Sequence, residues 1–394
     1  MLTEARRQEV LELARQLLRL PSLSGQEERV ARAIQERMVD LGYDEARIDR
    51  LGNVIGIIRG RRPGPCLLFD GHMDTVDATG ADWQQDPFGG EVQGGRLYGR
   101  GASDMKGALA AMVAAAGFFA CDRDRGFAGT LAVAGTVHEE CFEGVAAREV
   151  FQAVRPDYVI LGEASELKIK RGQRGRAEIV ITARGRSAHS SNPGAGNNAV
   201  YQMVEVIPRL RRLEPPVHPV LGPGIMELTD IISTPYPGAS VVPDGCRVTF
   251  DRRLLVGETR ASVLAPIKGV LQELAATYPG FQGEAAFARG EGKCYTGATI
   301  TSERFYPGWL LPDDHELVQQ ARRGLAAAGL EPVLSHYSFC TNGSFYAGEA
   351  GVPTIGFGPS REDQAHVVDE YIELEQLWAA AAGYYALAGA VLSH

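Results

Sequence analysis

Several stretches of the chain run from apolar residues straight into groups that exchange protons or bind cations. "CLLFDGHMDTVDA", residues 66–78, carries Asp70, His72 and Asp74 off the apolar run Cys66 to Phe69. Asp104 follows the Gly-rich "GRGASDMKG", Glu139 and Glu140 end "GTLAVAGTVHEE", and Glu163 ends "DYVILGE". His366, with Asp369 and Glu370, sits in "QAHVVDE" just after "VPTIGFG". A buried charge is costly unless something pairs with it. One histidine beside a strand is ordinarily a hydrogen-bonded structural residue, and adjacent glutamates are ordinarily a solvated pair. The pattern recurs at five places, always at the same end of a predicted sheet, and that points to a shared site. Four carboxylates and two imidazoles drawn together repel or compete for protons. A pair of divalent cations resolves the conflict; imidazole with carboxylate suits zinc, with cobalt or manganese as alternatives. His72 and Asp74 are two residues apart, so an extended chain points them the same way. One ring nitrogen of His72 can then bind metal while Asp74 orients the ring.

The elements that must position these groups alternate. Val30, Ile34, Met38 and Leu41 form one helical face, opened by Ser24 and Glu27 in capping-box spacing and stopped at Gly42. "NVIGIIRG" and "CLLFD" read as strands joined by a hairpin through the Gly/Pro turn at 60–65. "MKGALAAMVAAAGFFA" and "VAAREVFQAV" read as helices, and "GTLAVAGTV" and "DYVIL" as buried strands. Strands alternating with helices predict an α/β sheet covered on both faces, with its site at the carboxyl ends of the strands. The texture changes after Gly172: "GRAEIVITARG" alternates, and helices near 196–213 and 258–277 interleave with strands near 225–232 and 246–255. This is an α+β unit with one solvent-facing sheet. The α/β texture returns near 290, with a helix near 314–329 and a C-terminal helix. The expectation is a discontinuous α/β catalytic domain with a mixed central sheet, residues 1–174 and 289–394, carrying an inserted α+β domain, residues 175–288.

Taken in order, "GHMDTV", "GRGASDMKG", "HEE", "ILGEAS" and "AHVVDE" resemble the motifs of the dinuclear zinc hydrolases. That family includes acetylornithine deacetylase, succinyl-diaminopimelate desuccinylase, carboxypeptidase G and the aminoacylases. "KRGQRGRAEI", "DRRL" with "GET", and "FCTNGSFYAGEAGVPTIGFGP" are similar to a subgroup named as selenium-metabolism-linked hydrolases. The resemblance implies that His72 and Glu163 bind one metal, that Glu140 and His366 bind the other, and that Asp104 bridges both. It makes Glu139 the general base and implies a cis peptide before Met105. The physics agrees: two metals about 3.5–4 Å apart can hold a bridging water and lower its pKa towards neutrality. A neighbouring carboxylate can take its proton and pass it to the leaving amine.

In the inserted domain, "GRSAHSSNPGAG" matches the family's lid-domain motif. The resemblance implies that His189 reaches the partner subunit's site in a homodimer formed through this domain and stabilises the tetrahedral oxyanion. Arg253, in "TFDRRLL", matches the D-x-R that holds a substrate carboxylate through its planar fork; its neighbour Arg252 is the competitor for that task. Where relatives have Asn before "VIP", this chain has Ser240, and where they have Gly-Gly-Thr it has "FCTNGS". Thr341, Asn342 and Gly343 are therefore candidate substrate contacts. Tyr295, Phe305, Tyr306 and Trp309 either shape a pocket or pack in a core.

Bulk properties exclude other classes. A net charge of −9 without a basic stripe argues against nucleic-acid binding. The longest apolar stretch, residues 377–392, is too short to span a membrane, and the N-terminus lacks a signal-peptide core, so the expected location is cytoplasmic. None of the six cysteines has ligand spacing, which leaves them as reduced thiols. Gly99, Gly101 and Gly107 do not form G-x-G-x-x-G, which disfavours a nucleotide-dependent dehydrogenase. A metal-stabilised binding protein would lack the base, and Glu139 is present. The expected activity is hydrolysis of an amide or peptide bond in a small N-acyl amino acid or dipeptide-like substrate. The alternative is hydrolysis of carbamoyl or ring-opened purine-like compounds.

Overall fold

In a computed structural model, which describes residues 2–80 and 82–393, the chain divides into two compact units. The first gathers the chain up to Gln173, Glu291–Thr301, and the chain from Leu310 onward. The second comprises Arg174–Gly290 and Ser302–Trp309.

The first unit is built on a mixed sheet. From one edge its order is Glu45–Ile48, Val54–Arg59, Ala128–Thr136, Arg62–His72, Tyr158–Leu161, Thr354–Gly356, Ile169–Gln173. Ala128–Thr136, Arg62–His72, Tyr158–Leu161 and Thr354–Gly356 run parallel to one another. Leu67, Leu68 and Phe69 are all buried, so both faces of their strand are covered, as a continuous apolar run requires. The helices Glu4–Leu18, Lys106–Asp122 and Leu374–Leu392 pack with the sheet, and Lys106–Asp122 is buried from Lys106 to Ala120. Among the described residues no helix is long and apolar enough to cross a membrane.

Two local expectations fail. Val54–Arg59 and Arg62–His72 do not form a hairpin, because Ala128–Thr136 lies between them. It pairs antiparallel with the first (Val54↔Gly135) and parallel with the second (His72↔Thr136). Leu131 to Ala134 are buried on both faces, so this strand takes an interior place, and burial overrides the turn signal at 60–65. The helix Glu28–Asp40 buries Val30, Ile34 and Met38 and is followed by Gly42 at φ 75, as expected. However, its N-cap is Glu27 without a side-chain cap bond. Ser24 and Glu27 are engaged elsewhere, as described below.

In the second unit the sheet order is Ile225–Thr234, Gly245–Leu254, Gly175–Arg184, Gly283–Phe287, with Phe305–Tyr306 also on Gly175–Arg184. Burial alternates along Gly175–Arg184, and Ile179, Ile181, Val248 and Phe250 share a core with Met203 and Val206 of the helix Ala199–Leu210 and Ile267 and Leu271 of Arg260–Thr277. Phe305 joins that core and packs edge-on against Phe287, with ring centroids 5.1 Å apart, so it is a packing residue. Tyr295, in the first unit, donates its hydroxyl to the Gly52 carbonyl at 2.9 Å.

The loop after Thr354–Gly356 passes close to the loop after Tyr158–Leu161. A Cβ on Gly358 would lie 2.2 Å from the Gly162 carbonyl oxygen and 2.4 Å from that of Glu163. Backbone cannot yield as a flexible side chain does. Gly358→Ala is expected to destabilise the protein by about 1–3 kcal/mol, as overpacking does, measured as a shift in the chemical denaturation midpoint.

Candidate metal centre

The parallel strands deliver their acids and imidazole to one edge. His72 ends Arg62–His72, Glu139 and Glu140 follow Ala128–Thr136, and Glu163 follows Tyr158–Leu161. His366 lies beyond Thr354–Gly356, and Asp104 stands just before the helix Lys106–Asp122. Two clusters result, His72–Asp104–Glu163 and Asp104–Glu140–His366, each with ligand-type atoms within 4.8 Å of one another. Asp104 belongs to both. Its Oδ1 is 2.9 Å from His72 Nε2 and its Oδ2 is 3.2 Å from His366 Nε2. Glu163 Oε1 is 3.7 Å from His72 Nε2, and Glu140 Oε1 is 3.0 Å from His366 Nε2. The peptide bond between Asp104 and Met105 is cis, as the resemblance implied.

The electrostatics follow from this crowding. Burial, then the charge of Asp104, raises Glu140 to about 7. Burial raises Glu163 to about 8, aided by Asp104 and Glu140, and it raises Glu139 well above the usual carboxylate range. Asp104 is the exception. Burial acts upward on it too, but hydrogen bonds from His366 and His72 hold it well below the ordinary value. His366 is raised to about 10, chiefly by its bonds to Asp104 and Glu140. His72 is also raised, because Asp104 and Glu163 outweigh the opposing effect of burial.

Asp74 works differently from the simplest sequence reading. His72 Nδ1 lies 2.8 Å from the Asp74 main-chain oxygen, which can only accept, so Nδ1 carries a proton and Nε2 faces Asp104. The fully buried Asp74 carboxylate instead accepts the backbone N–H groups of Glu139 (3.0 Å) and Glu140 (3.1 Å). It thus orients His72 through its backbone and the Glu139–Glu140 turn through its side chain. Glu370 does the same for Asp104. Buried completely, it accepts N–H groups from Gly101, Ser103 and Asp104 at 2.8–3.1 Å and pairs with Arg100 at 2.7 Å. Asp369 accepts from the backbone of Gln84 and Gln85. Asp369 and Glu370 thus anchor loops; of the segment they share with His366, the resemblance implied only His366 as a ligand, since an acid that binds metal and one that anchors a loop have the same residue type.

The description peptidase family M20/M25/M40 matches residues 68–390. The chain belongs to that family. It is a metal-dependent hydrolase. It is 35% identical to the Escherichia coli K12 protein YgeY over 387 residues, covering 95% of this chain and 92% of that one. It is 31% identical to succinyl-diaminopimelate desuccinylase from Cereibacter sphaeroides over 382 residues, covering 93% and 94%. The crystal structure of Bacillus subtilis YXEP, described as a dinuclear metal binding peptidase from the M20 family, superimposes with a TM-score of 0.73 at 18% identity, covering 98% of this chain and 97% of that one. That last likeness is one of fold.

Other candidate residues of this M20 hydrolase lie in distinct settings. His189 is exposed in the second unit, in a short strand paired with Val241–Val242. Arg253, partly exposed in that unit, is tied to Asp251 at 2.9 Å. Arg252 is buried, bonded to Glu258 at 2.6 Å and to the Ile225 carbonyl, which makes it the structural member of the pair. Thr341 and Asn342 require a correction. The Thr341 hydroxyl is buried, donates to Gln173 Oε1 at 2.6 Å and accepts from Gly343 N. Asn342 Nδ2 donates to Asp70 Oδ1 (2.8 Å) and Thr136 Oγ1 (2.9 Å), while its Oδ1 accepts from Gly144 N (2.8 Å). These side chains are committed within the fold, and Gly343 has only its backbone to offer. Asn342 helps to satisfy Asp70, a carboxyl that burial pushes up to about 7 and that also accepts from Tyr346 at 2.9 Å, while Thr341 ties its own loop to Gln173. Asn342→Ala strips one partner from that buried acid. It is expected to cost about 1–3 kcal/mol of stability, seen in denaturant unfolding. A raised KM at unchanged stability would restore the substrate-contact reading.

Proposed function

We propose that this hydrolase cleaves the amide or peptide bond of a small N-acyl amino acid or dipeptide-like substrate with two divalent cations. His72, Asp104 and Glu163 would hold one, and Asp104, Glu140 and His366 the other. The observation that carries this reading is the position of Asp104, whose two oxygens each face a different imidazole. The donor set, imidazole nitrogen with carboxylate oxygen, fits zinc, and cobalt or manganese would be held by the same atoms. Bound there, the cations supply Lewis acidity to the scissile carbonyl and make water a competent nucleophile near neutral pH.

The chain's own residues do the rest. Glu139 is the general base: it takes the proton of the attacking water and returns it to the leaving amine. Its carboxyl is buried, with Oε1 bonded to no protein group. His189 donates to the oxyanion of a partner subunit. Its Nδ1 accepts from the N–H of Ser191 at 3.1 Å, so the proton of the neutral ring sits on Nε2, where it can be donated. The homodimer would form through the second unit. Support comes from large apolar side chains left in solvent there: Tyr201 (66% exposed) and Val204 (55%) on the helix Ala199–Leu210, and Ile231 (53%) on the edge strand Ile225–Thr234. Arg253 takes the substrate carboxylate, with its fork anchored at Asp251. The likeness to a succinyl-diaminopimelate desuccinylase supports an N-acyl amine as the substrate class. A reducing, cytoplasmic setting suits a chain with six cysteines lacking ligand spacing.

Metal content with a substrate panel of N-acetyl and N-succinyl amino acids, dipeptides and N-carbamoyl amino acids tests the reading. Turnover confined to N-carbamoyl compounds would favour the alternative. Glu139→Gln is expected to retain two metals per chain and lose turnover by at least about a hundredfold; wild-type activity in that variant would remove Glu139 as the base. His189→Ala is expected to slow turnover by about a hundredfold or more at unchanged metal content, and release of metal would show it to be misassigned. Exhaustive chelation should abolish turnover, with recovery on adding zinc, cobalt or manganese.

A further inference from the structure

The segment Ser22–Glu27 has helix-start spacing, but neither the Ser24 nor the Glu27 side chain caps the helix that follows. It is laced onto the metal-bearing strand end instead. Leu23 bridges Thr75 in parallel, Thr75 N donates to Ser22 O at 2.9 Å, and the Ser22 hydroxyl donates to Met73 O at 2.7 Å. Past that splice, Ser24 Oγ donates to Asp74 Oδ2 at 2.7 Å. The same hydroxyl accepts from Cys141 Sγ at 3.4 Å. Asp74 accepts the N–H groups of Glu139 and Glu140, and Cys141 follows them in the chain. The bonds therefore close a ring: Ser24 to Asp74, Asp74 to the Glu139–Glu140 backbone, and Cys141 back to Ser24. Glu27 holds the other side of the turn. Its buried Oε1 accepts from His138 N at 3.2 Å and from Gly25 N at 2.9 Å. His138 has φ 56, a backbone conformation that needs outside support in a residue with a side chain.

We propose that Ser24 and Glu27 are positioning residues for hydrolysis: they clamp the turn 138–141 from both sides and so aim the Glu139 carboxylate. This rests on the reading of Glu139 as the base. Neither residue reaches the two candidate ligand clusters, so the clamp acts on the base turn without supplying a ligand. Small displacements of a reacting group matter: a misplacement of about 1 Å can cost about a hundredfold in rate. Ser24 is the cleaner residue to test, because it is only partly buried and its removal leaves the fold's core untouched.

The experiment uses the metal-loaded protein and a substrate from the panel above. Ser24→Ala is expected to lower kcat about tenfold or more with KM changed less than about twofold and both metals retained, and Ser24→Thr, which keeps the hydroxyl, to recover most of the loss. Wild-type kcat in Ser24→Ala overturns the proposal. So does loss of metal, or a Thr variant no better than Ala, since either would mean that the hydroxyl does not act through the base turn. Glu139→Gln run in parallel separates the two ideas. If it is inactive with metals bound while Ser24→Ala is unimpaired, the base stands and the clamp falls. If it is active, the base reading fails and the clamp with it.

Discussion

The constraint on which the rest depends is the confinement of like charges at one sheet edge. Asp104, Glu139, Glu140 and Glu163 converge, and among the described residues two imidazoles, His72 and His366, stand against them. Burial pushes three of these acids upward, and only Asp104, bonded to both histidines, stays low. A protein interior does not tolerate such a cluster for stability's sake, and perturbed groups of this kind gather where chemistry is done. The buried Lys106, depressed to about 7 chiefly by its own burial, shows the same cost on the cationic side. It is tied instead to the carbonyls of Leu17 and Leu20, where it holds the end of the first helix.

Around that cluster stands a second layer of acids that touch backbone rather than candidate ligand atoms. Asp74 accepts from the Glu139–Glu140 turn, Glu370 from the loop leading into Asp104, and Glu27 from His138. Each uses a carboxylate to fix two or three N–H groups that no helix or strand satisfies. Charge-assisted bonds of this sort are short and strong. Burial pushes Glu27 up to about 7 and raises Glu370 too, so the acids that brace the loops carry part of the same desolvation cost as the cluster they surround.

The parallel sheet makes the convergence possible. Strands 62–72, 128–136, 158–161 and 354–356 run the same way, so their carboxyl ends meet although the first and last lie far apart in sequence. The second unit is built differently, with an antiparallel sheet backed on one face by two helices. Its exposed apolar side chains include Tyr201 and Val204 on the helix Ala199–Leu210, which buries Met203 and Val206 in the core, and Ile231 on the edge strand Ile225–Thr234.

Residue types and order alone pointed to the α/β class and to the five stretches from which both clusters are drawn; which residues of those stretches act as ligands was implied by the family resemblance. A metal site needs particular atoms, and few side chains offer them, so the recurrence of His, Asp and Glu after apolar runs is visible without coordinates. Tertiary structure decided what those atoms do not announce. It separated Val54–Arg59 from Arg62–His72 by an interior strand, because burial on two faces outweighs a local turn signal. It turned Asn342 inward to Asp70, and it drew Ser24 and Glu27 away from a helix cap to the base turn. A hydroxyl, an amide or a second carboxylate can bond to many partners. Which partner it meets depends on neighbours distant in sequence, and only the folded chain brings those into reach.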